Sequence, residues 1–132
     1  MKRIPLNALA KALYKRLTEH QDIHVYDDVT VEAKAPYITM GLFTCKDTGT
    51  KINDICDASI SLDIWSDYSG RKEVNSIAND IITLIQAAPF NDVGDGFRVM
   101  GTDVDFFESY AEEDHGYHGT ITFIFKVQNM EE

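Results

Sequence analysis

The stretch Ala58-Ser59-Ile60-Ser61-Leu62-Asp63-Ile64-Trp65 alternates apolar and polar side chains without a break. A period of two puts Ala58, Ile60, Leu62 and Ile64 on one face of a strand and Ser59, Ser61, Asp63 and Trp65 on the other, so the segment predicts a sheet with one face in the core. Ser66-Asp67-Tyr68-Ser69-Gly70 then breaks the strand. Beyond it Val74, Ile77, Ala78, Ile81, Leu84, Ile85 and Ala88 recur at helical spacing. An amphipathic helix is expected over Arg71 to Ala88, with Ser69 placed to accept a hydrogen bond from its first free amides and Pro89 as its stop.

Reading upstream from that core strand, residues 46–57 are polar, carry one glycine and show no helical period, which predicts a long hairpin connection. Tyr37 to Cys45 is rich in strand formers and follows Pro36, which biases Ala35 toward extended backbone. Ile23 to Tyr26 offers one short extended segment. Pro5 followed by Leu6, Leu9, Leu13 and Leu17 marks a first helix over Leu6 to Glu19, with Lys11, Lys15 and Arg16 largely off its apolar stripe. Downstream, Asn91 to Gly96 is a turn-rich loop, followed by strands over Phe97 to about Tyr110 and His118 to Gln128. Ile121, Phe123, Phe125 and Val127 form the core face of the last strand. In the strand before it the apolar phase is odd at Phe97 and Val99 and even at Val104 and Phe106, and a bulge near Gly101 would restore the inward face. The element order is α-β-β-β-α-β-β, an α+β fold in which two helices cover one face of a mainly antiparallel, four- to five-stranded sheet.

A chain of 132 residues is the size of one domain, taken as residues 1–132, because two halves of it would be too small to bury adequate cores. Its 44% hydrophobic and 26% charged content is that of a globular protein. The formal charge of −10 argues against tight binding to nucleic acid or to anionic lipid, since both repel an acidic surface. No apolar run approaches the roughly 18 residues of a membrane span, and Met1-Lys2-Arg3 leads into an amphipathic helix rather than a signal-peptide core. Cytosolic synthesis is therefore expected, and with it reduced thiols at Cys45 and Cys56.

Chemistry has little positive support. Asp103 and Asp105, with Glu108, His115 and His118 near in sequence, sketch an oxygen and imidazole metal site, but alternating acids on a strand more often make its solvated face. Asp92-Val93-Gly94-Asp95-Gly96 lacks the spacing and terminal Glu of a calcium loop. There is no Gly-x-Ser-x-Gly elbow and no glycine-rich nucleotide motif, so neither catalytic residues nor a cofactor are expected. Trp65 stands on the outward face of its strand, where it either anchors a subunit contact or is covered by another part of the same chain.

Four segments together carry a family resemblance: Val25-Tyr26-Asp27, Ala35-Pro36-Tyr37-Ile38-Thr39-Met40-Gly41, Leu62 to Gly70 leading into a helix, and His118-Gly119-Thr120-Ile121-Thr122-Phe123. In order and character they resemble the tail-completion or tail-terminator proteins of long-tailed phages and related prophages, over roughly Leu6 to Gln128. The resemblance implies a non-enzymatic subunit that forms a ring, usually of six, at the head-proximal end of the tail tube. Its partners would be further copies of itself, the tail-tube protein and a head-completion or connector protein. DNA would pass through without specific binding, and no membrane or cofactor would be involved. Assembly in the host cytoplasm and residence in the virion tail follow from the same resemblance. Expected contact residues are Lys46, Asp47, Thr48, Lys51, Asn53 and Asp54 on the long connection, together with Trp65 and Tyr68. Two other classes stay open: a small metal-dependent enzyme using Asp103, Asp105 and His118, and an adaptor module unrelated to phages.

Overall fold

The computed structural model describes residues 1–28, 33–91 and 93–131. Its elements are α1 (Leu6–His20), β1 (Val25–Tyr26), β2 (Tyr37–Asp47), β3 (Ile55–Ser66), α2 (Lys72–Gln86), β4 (Phe97–Ala111) and β5 (Tyr117–Asn129). The five strands form one sheet in the order β1-β2-β3-β5-β4. Every pairing is antiparallel except that of β1 with β2, which is parallel. The α+β class, the element order and the two helices on one face are as the sequence predicts.

The core lies between that sheet face and the two helices. Leu9, Leu13 and Leu17 of α1 and Val74, Ile77, Ala78, Ile81 and Ile85 of α2 are buried against Ala58, Ile60, Leu62 and Ile64 of β3 and Ile121, Phe123, Phe125 and Val127 of β5. The alternation read from β3 and β5 thus selects the face that the helices cover. Helix α2 approaches so closely that a Cβ at Gly119 on β5 would collide with Val74 Cγ1 and with the Phe107 ring.

Four expectations need correction. The connection between β2 and β3 is shorter than 46–57, because the ladder continues through Lys46↔Asp57 and Asp47↔Cys56 and leaves only residues 48–54 outside the strands. Helix α2 begins at Lys72 and ends at Gln86, so Ala88 lies beyond it and is exposed. Its N-terminus has no side-chain cap; instead Ser66 Oγ, not Ser69, donates to Glu73 Oε1 at 2.6 Å and accepts from the Tyr68 amide at 3.1 Å. Finally, β4 carries two irregularities rather than one, between Val99 and Gly101 and between Val104 and Phe106. The second re-phases the strand again, so Phe107 packs against the core and Phe106, expected inward, is 47% exposed. Asp92, part of the expected turn-rich loop, lies outside the described residues.

Helix packing is completed by a residue that the pattern left on the polar side. The Arg16 guanidinium of α1 donates to the carbonyl oxygens of Ile85 (3.0 Å), Ala88 (2.7 Å) and Pro89 (3.1 Å) and stacks 3.6 Å over the Phe90 ring. It thereby satisfies carbonyls at the C-terminal end of α2, where partial negative charge accumulates. Phe90 itself is buried, edge-on to Phe125 at 5.6 Å between ring centroids.

Candidate interaction surfaces

The sheet face away from the helices bears a row of rings that crosses all five strands. Tyr26 (β1), Tyr37 (β2), Trp65 (β3), His118 (β5) and Tyr110 (β4) follow one another, with centroid separations of 5.9, 6.2, 3.9 and 5.0 Å. Strand register makes the row: Tyr37 stands opposite Trp65, Trp65 opposite His118, and His118 opposite Tyr110. Trp65 is half-buried, with its ring stacked on His118 and its Nε1–H donating to Thr39 Oγ1 at 3.1 Å. It is covered within the chain on one ring face, by its sheet neighbour rather than by α1. Tyr68, in the turn after β3, is 48% exposed.

His118 is the most constrained polar side chain in that row. Its Nε2 lies 2.8 Å from Asp63 Oδ1, and its Nδ1 lies 3.0 Å from Glu112 Oε1 and 2.8 Å from the Tyr110 hydroxyl. Thr120 Oγ1 also donates to Asp63 Oδ1 at 2.8 Å. Burial, followed by the Glu112, Asp63 and Glu108 charges, pushes the Tyr110 phenol up from its ordinary range. Both ring nitrogens thus have partners within the chain, and Trp65 lies over the ring face. Sequence spacing had no access to this cluster, because its members come from three strands and a turn.

The metal-site alternative fails on register. Asp103 pairs opposite Ile124, six residues along β5 from His118, which is about 20 Å of strand. Asp105 sits in the second irregularity of β4 and is out of simple phase with Asp103. Among the described residues, no three acidic, histidine or cysteine side chains converge to hold a metal ion.

Beside the ring row, a cleft of about 750 Å³ opens between the approach to β2, the end of β3 and the β4–β5 turn. Tyr37, Trp65 and Tyr117 supply aromatic surface to it, and Asp67, Glu112, Glu113 and Asp114 give it an acidic lining.

The 48–54 connection is held by its own hydrogen bonds and by both ends of the described chain. Thr48 N donates to Ile55 O (3.1 Å), Gly49 N to Asp47 Oδ1 (3.0 Å) and Thr50 N to Asn53 O (2.9 Å). A Cβ at Gly49 would meet the Asn53 carbonyl oxygen and the Ile55 nitrogen, so the turn closes only around glycine. The Met1 amine reaches Asp47 at 3.0 Å and Asp54 at 3.3 Å, and Asn129 Nδ2 donates to Asp54 Oδ2 at 2.9 Å. The Gly49 amide and the Met1 amine hold the Asp47 carboxyl below its ordinary value; Asn129, then the Lys2 amide, do so for Asp54. Of the residues expected to make contacts, Lys46 and Asp47 end β2, Thr48, Lys51, Asn53 and Asp54 belong to the connection, and Trp65 and Tyr68 lie at the other end of β3. The fold therefore separates them into two surfaces at opposite ends of one strand.

Among the described residues no helix is long and apolar enough to cross a membrane. No curated protein matches the chain. Among solved structures, a chain from the "Virion of native gene transfer agent (GTA) particle" superposes with a TM-score of 0.78 at 17% identity, over 96% of this chain and 99% of that one, which shows a shared fold. The model of the family described as "Tail completion protein gp17" matches residues 8–128, nearly the whole sheet and both helices, and on that match the chain belongs to the tail completion protein gp17 family, with a structural role in phage tails.

Proposed function

We propose that this chain caps the head-proximal end of a phage tail tube, stops tube polymerisation and presents the surface on which the head is joined. The observation that carries this reading is the family match over residues 8–128. The likeness to a chain of a phage-like particle is consistent with it. In the proposed arrangement six copies form a ring, in contact with the tail-tube protein on one side and a head-completion or connector protein on the other. One contact surface is the β2–β3 end with Lys46, Asp47, Thr48, Lys51, Asn53 and Asp54; the other includes Trp65 and Tyr68.

The charge of the chain suits a ring around a DNA passage. Six copies would carry roughly −60 formal charges, and an acidic bore offers phosphates no cations to stick to. On the open sheet face, register places Asp57, Asp63, Asp103 and Glu108 against Lys46, Arg98 and Lys126, a balance that is still acidic.

Deleting the gene tests the proposal directly. Electron microscopy of lysates should then show DNA-filled heads detached from tails, with tubes that overrun their normal length because nothing occupies the growing end. Tubes of normal length joined to heads would overturn it, as an enzyme or adaptor role predicts.

A further inference from the structure

Cys45 on β2 and Cys56 on β3 are both free thiols, and their sulfur atoms lie 3.2 Å apart. The register explains the contact: Cys45 stands opposite Ala58 and Cys56 opposite Asp47, so the two are diagonal neighbours on the helix-covered face, beside the root of the 48–54 connection. The backbone ladder already holds the strands together, and a bond of about 2.05 Å requires the two sulfurs to close by little more than an ångström. We propose that Cys45 and Cys56 are a cross-strand oxidation site, which a small-molecule disulfide such as oxidised glutathione converts to an intramolecular disulfide.

The surroundings order the two steps. Cys45 is half-buried, with only the Met1 thioether beside its sulfur at 3.2 Å on the exposed side, and is the more accessible thiol, whereas Cys56 is 4% exposed. The Cys45 thiolate attacks one sulfur of the oxidant, forms a mixed disulfide and releases one glutathione thiolate, which takes up the proton that Cys45 lost. Cys56 then loses its own proton and attacks Cys45 Sγ, which expels the second glutathione. Two protein thiols are oxidised and one small disulfide is reduced to two thiols. Burial is the largest cause that raises the Cys56 thiol, and it persists once Cys45 is in the mixed disulfide, so the Cys56 thiolate is scarce and the second step is the slow one, quickening as pH rises. In a reducing cytosol the pair stays as thiols, as the sequence leads one to expect; the bond forms where the glutathione pool is no longer reducing. A particle leaving its host meets that condition, and this physiological setting rests on the function proposed above, whereas the chemistry does not.

The purified full-length chain, reduced and then incubated with oxidised glutathione at mildly alkaline pH, tests the site. Unfolding and alkylation of the product should label neither cysteine, with the mass lowered by two hydrogens and a peptide map joining Cys45 to Cys56; dithiothreitol should restore both labels. Cys56→Ser should arrest the reaction as a glutathione adduct on Cys45, and Cys45→Ser should leave the folded chain unmodified. The proposal is overturned if the parent chain retains two alkylatable thiols, if it stops at the Cys45 adduct, or if the bond forms between two chains.

Discussion

Arg16 ties α1 to the last turn of α2 and to the segment just after it through three charge-assisted hydrogen bonds and a stacked ring, and its contribution follows from geometry that a lysine cannot reproduce. Arg16→Ala should lower stability by about 1–3 kcal/mol, read as a shift in the urea midpoint, and Arg16→Lys should recover only part of it. Ile81, at 1% exposure between α2 and the sheet, sets a harsher test. An unpaired carboxylate there costs several kcal/mol out of a total of about 5–15, so Ile81→Asp should abolish the cooperative thermal transition seen by circular dichroism. At the loop, the Asp47 and Asp54 carboxyls sit below their ordinary value of 3.8 and the Met1 amine above its ordinary 8.0. The carboxylates therefore stabilise the folded loop above about pH 3.8 and lose that effect as pH falls through their lowered values; the amine contributes fully below pH 8.0 and loses its effect as pH rises through its raised value. An NMR titration of the Gly49 amide, which donates to Asp47, should show a plateau at neutral pH and movement at the acid end.

At the scale of elements, the β2–β3 hairpin carries the clearest separation of stability from function. Its ladder, irregular between Met40 and Phe43, runs regularly from Phe43↔Ile60 to Asp47↔Cys56, so the strands do not depend on the 48–54 connection for their register. Replacing that connection by a two-residue turn should leave a folded, soluble subunit and remove tail completion in a complementation assay. Infectious particles with normal tails would show that the connection makes no essential contact. Strand β4 shows the converse design: it lies at the sheet edge, and its two irregularities and its acids at Asp103, Asp105 and Glu108 discourage uncontrolled pairing with other strands.

For the whole molecule, the net charge of −10 sets the terms of assembly. Like-charged copies repel, and in the proposed ring any contact made by exposed aromatic surface such as Tyr68 would have to overcome that repulsion. Self-association should therefore strengthen as salt rises and screening shortens to under ~10 Å. Sedimentation across a salt series checks this, and rings that fall apart on adding salt would show that attractive ion pairs hold them together.

The sequence by itself determined the layers of this protein. Period-two runs at Ala58–Ile64 and Ile121–Val127 and helical stripes at Leu9–Leu17 and Val74–Ile85 name the core, because each pattern depends only on where successive side chains of one element point. It also located one irregularity in β4 from a change of apolar phase, but not the second, since Phe106 and Phe107 are adjacent and equally apolar and only packing distinguishes them. Tertiary structure alone decided what happens between elements. The ring row through Trp65, the Asp63 carboxylate at His118 and the Arg16 contacts beside the end of α2 join residues distant along the chain, and the nearer Glu112–His118 and Cys45–Cys56 contacts still need the exact hairpin register. Their meeting depends on strand register and helix placement, which are set when the whole core packs at once, and no local pattern in the chain records them.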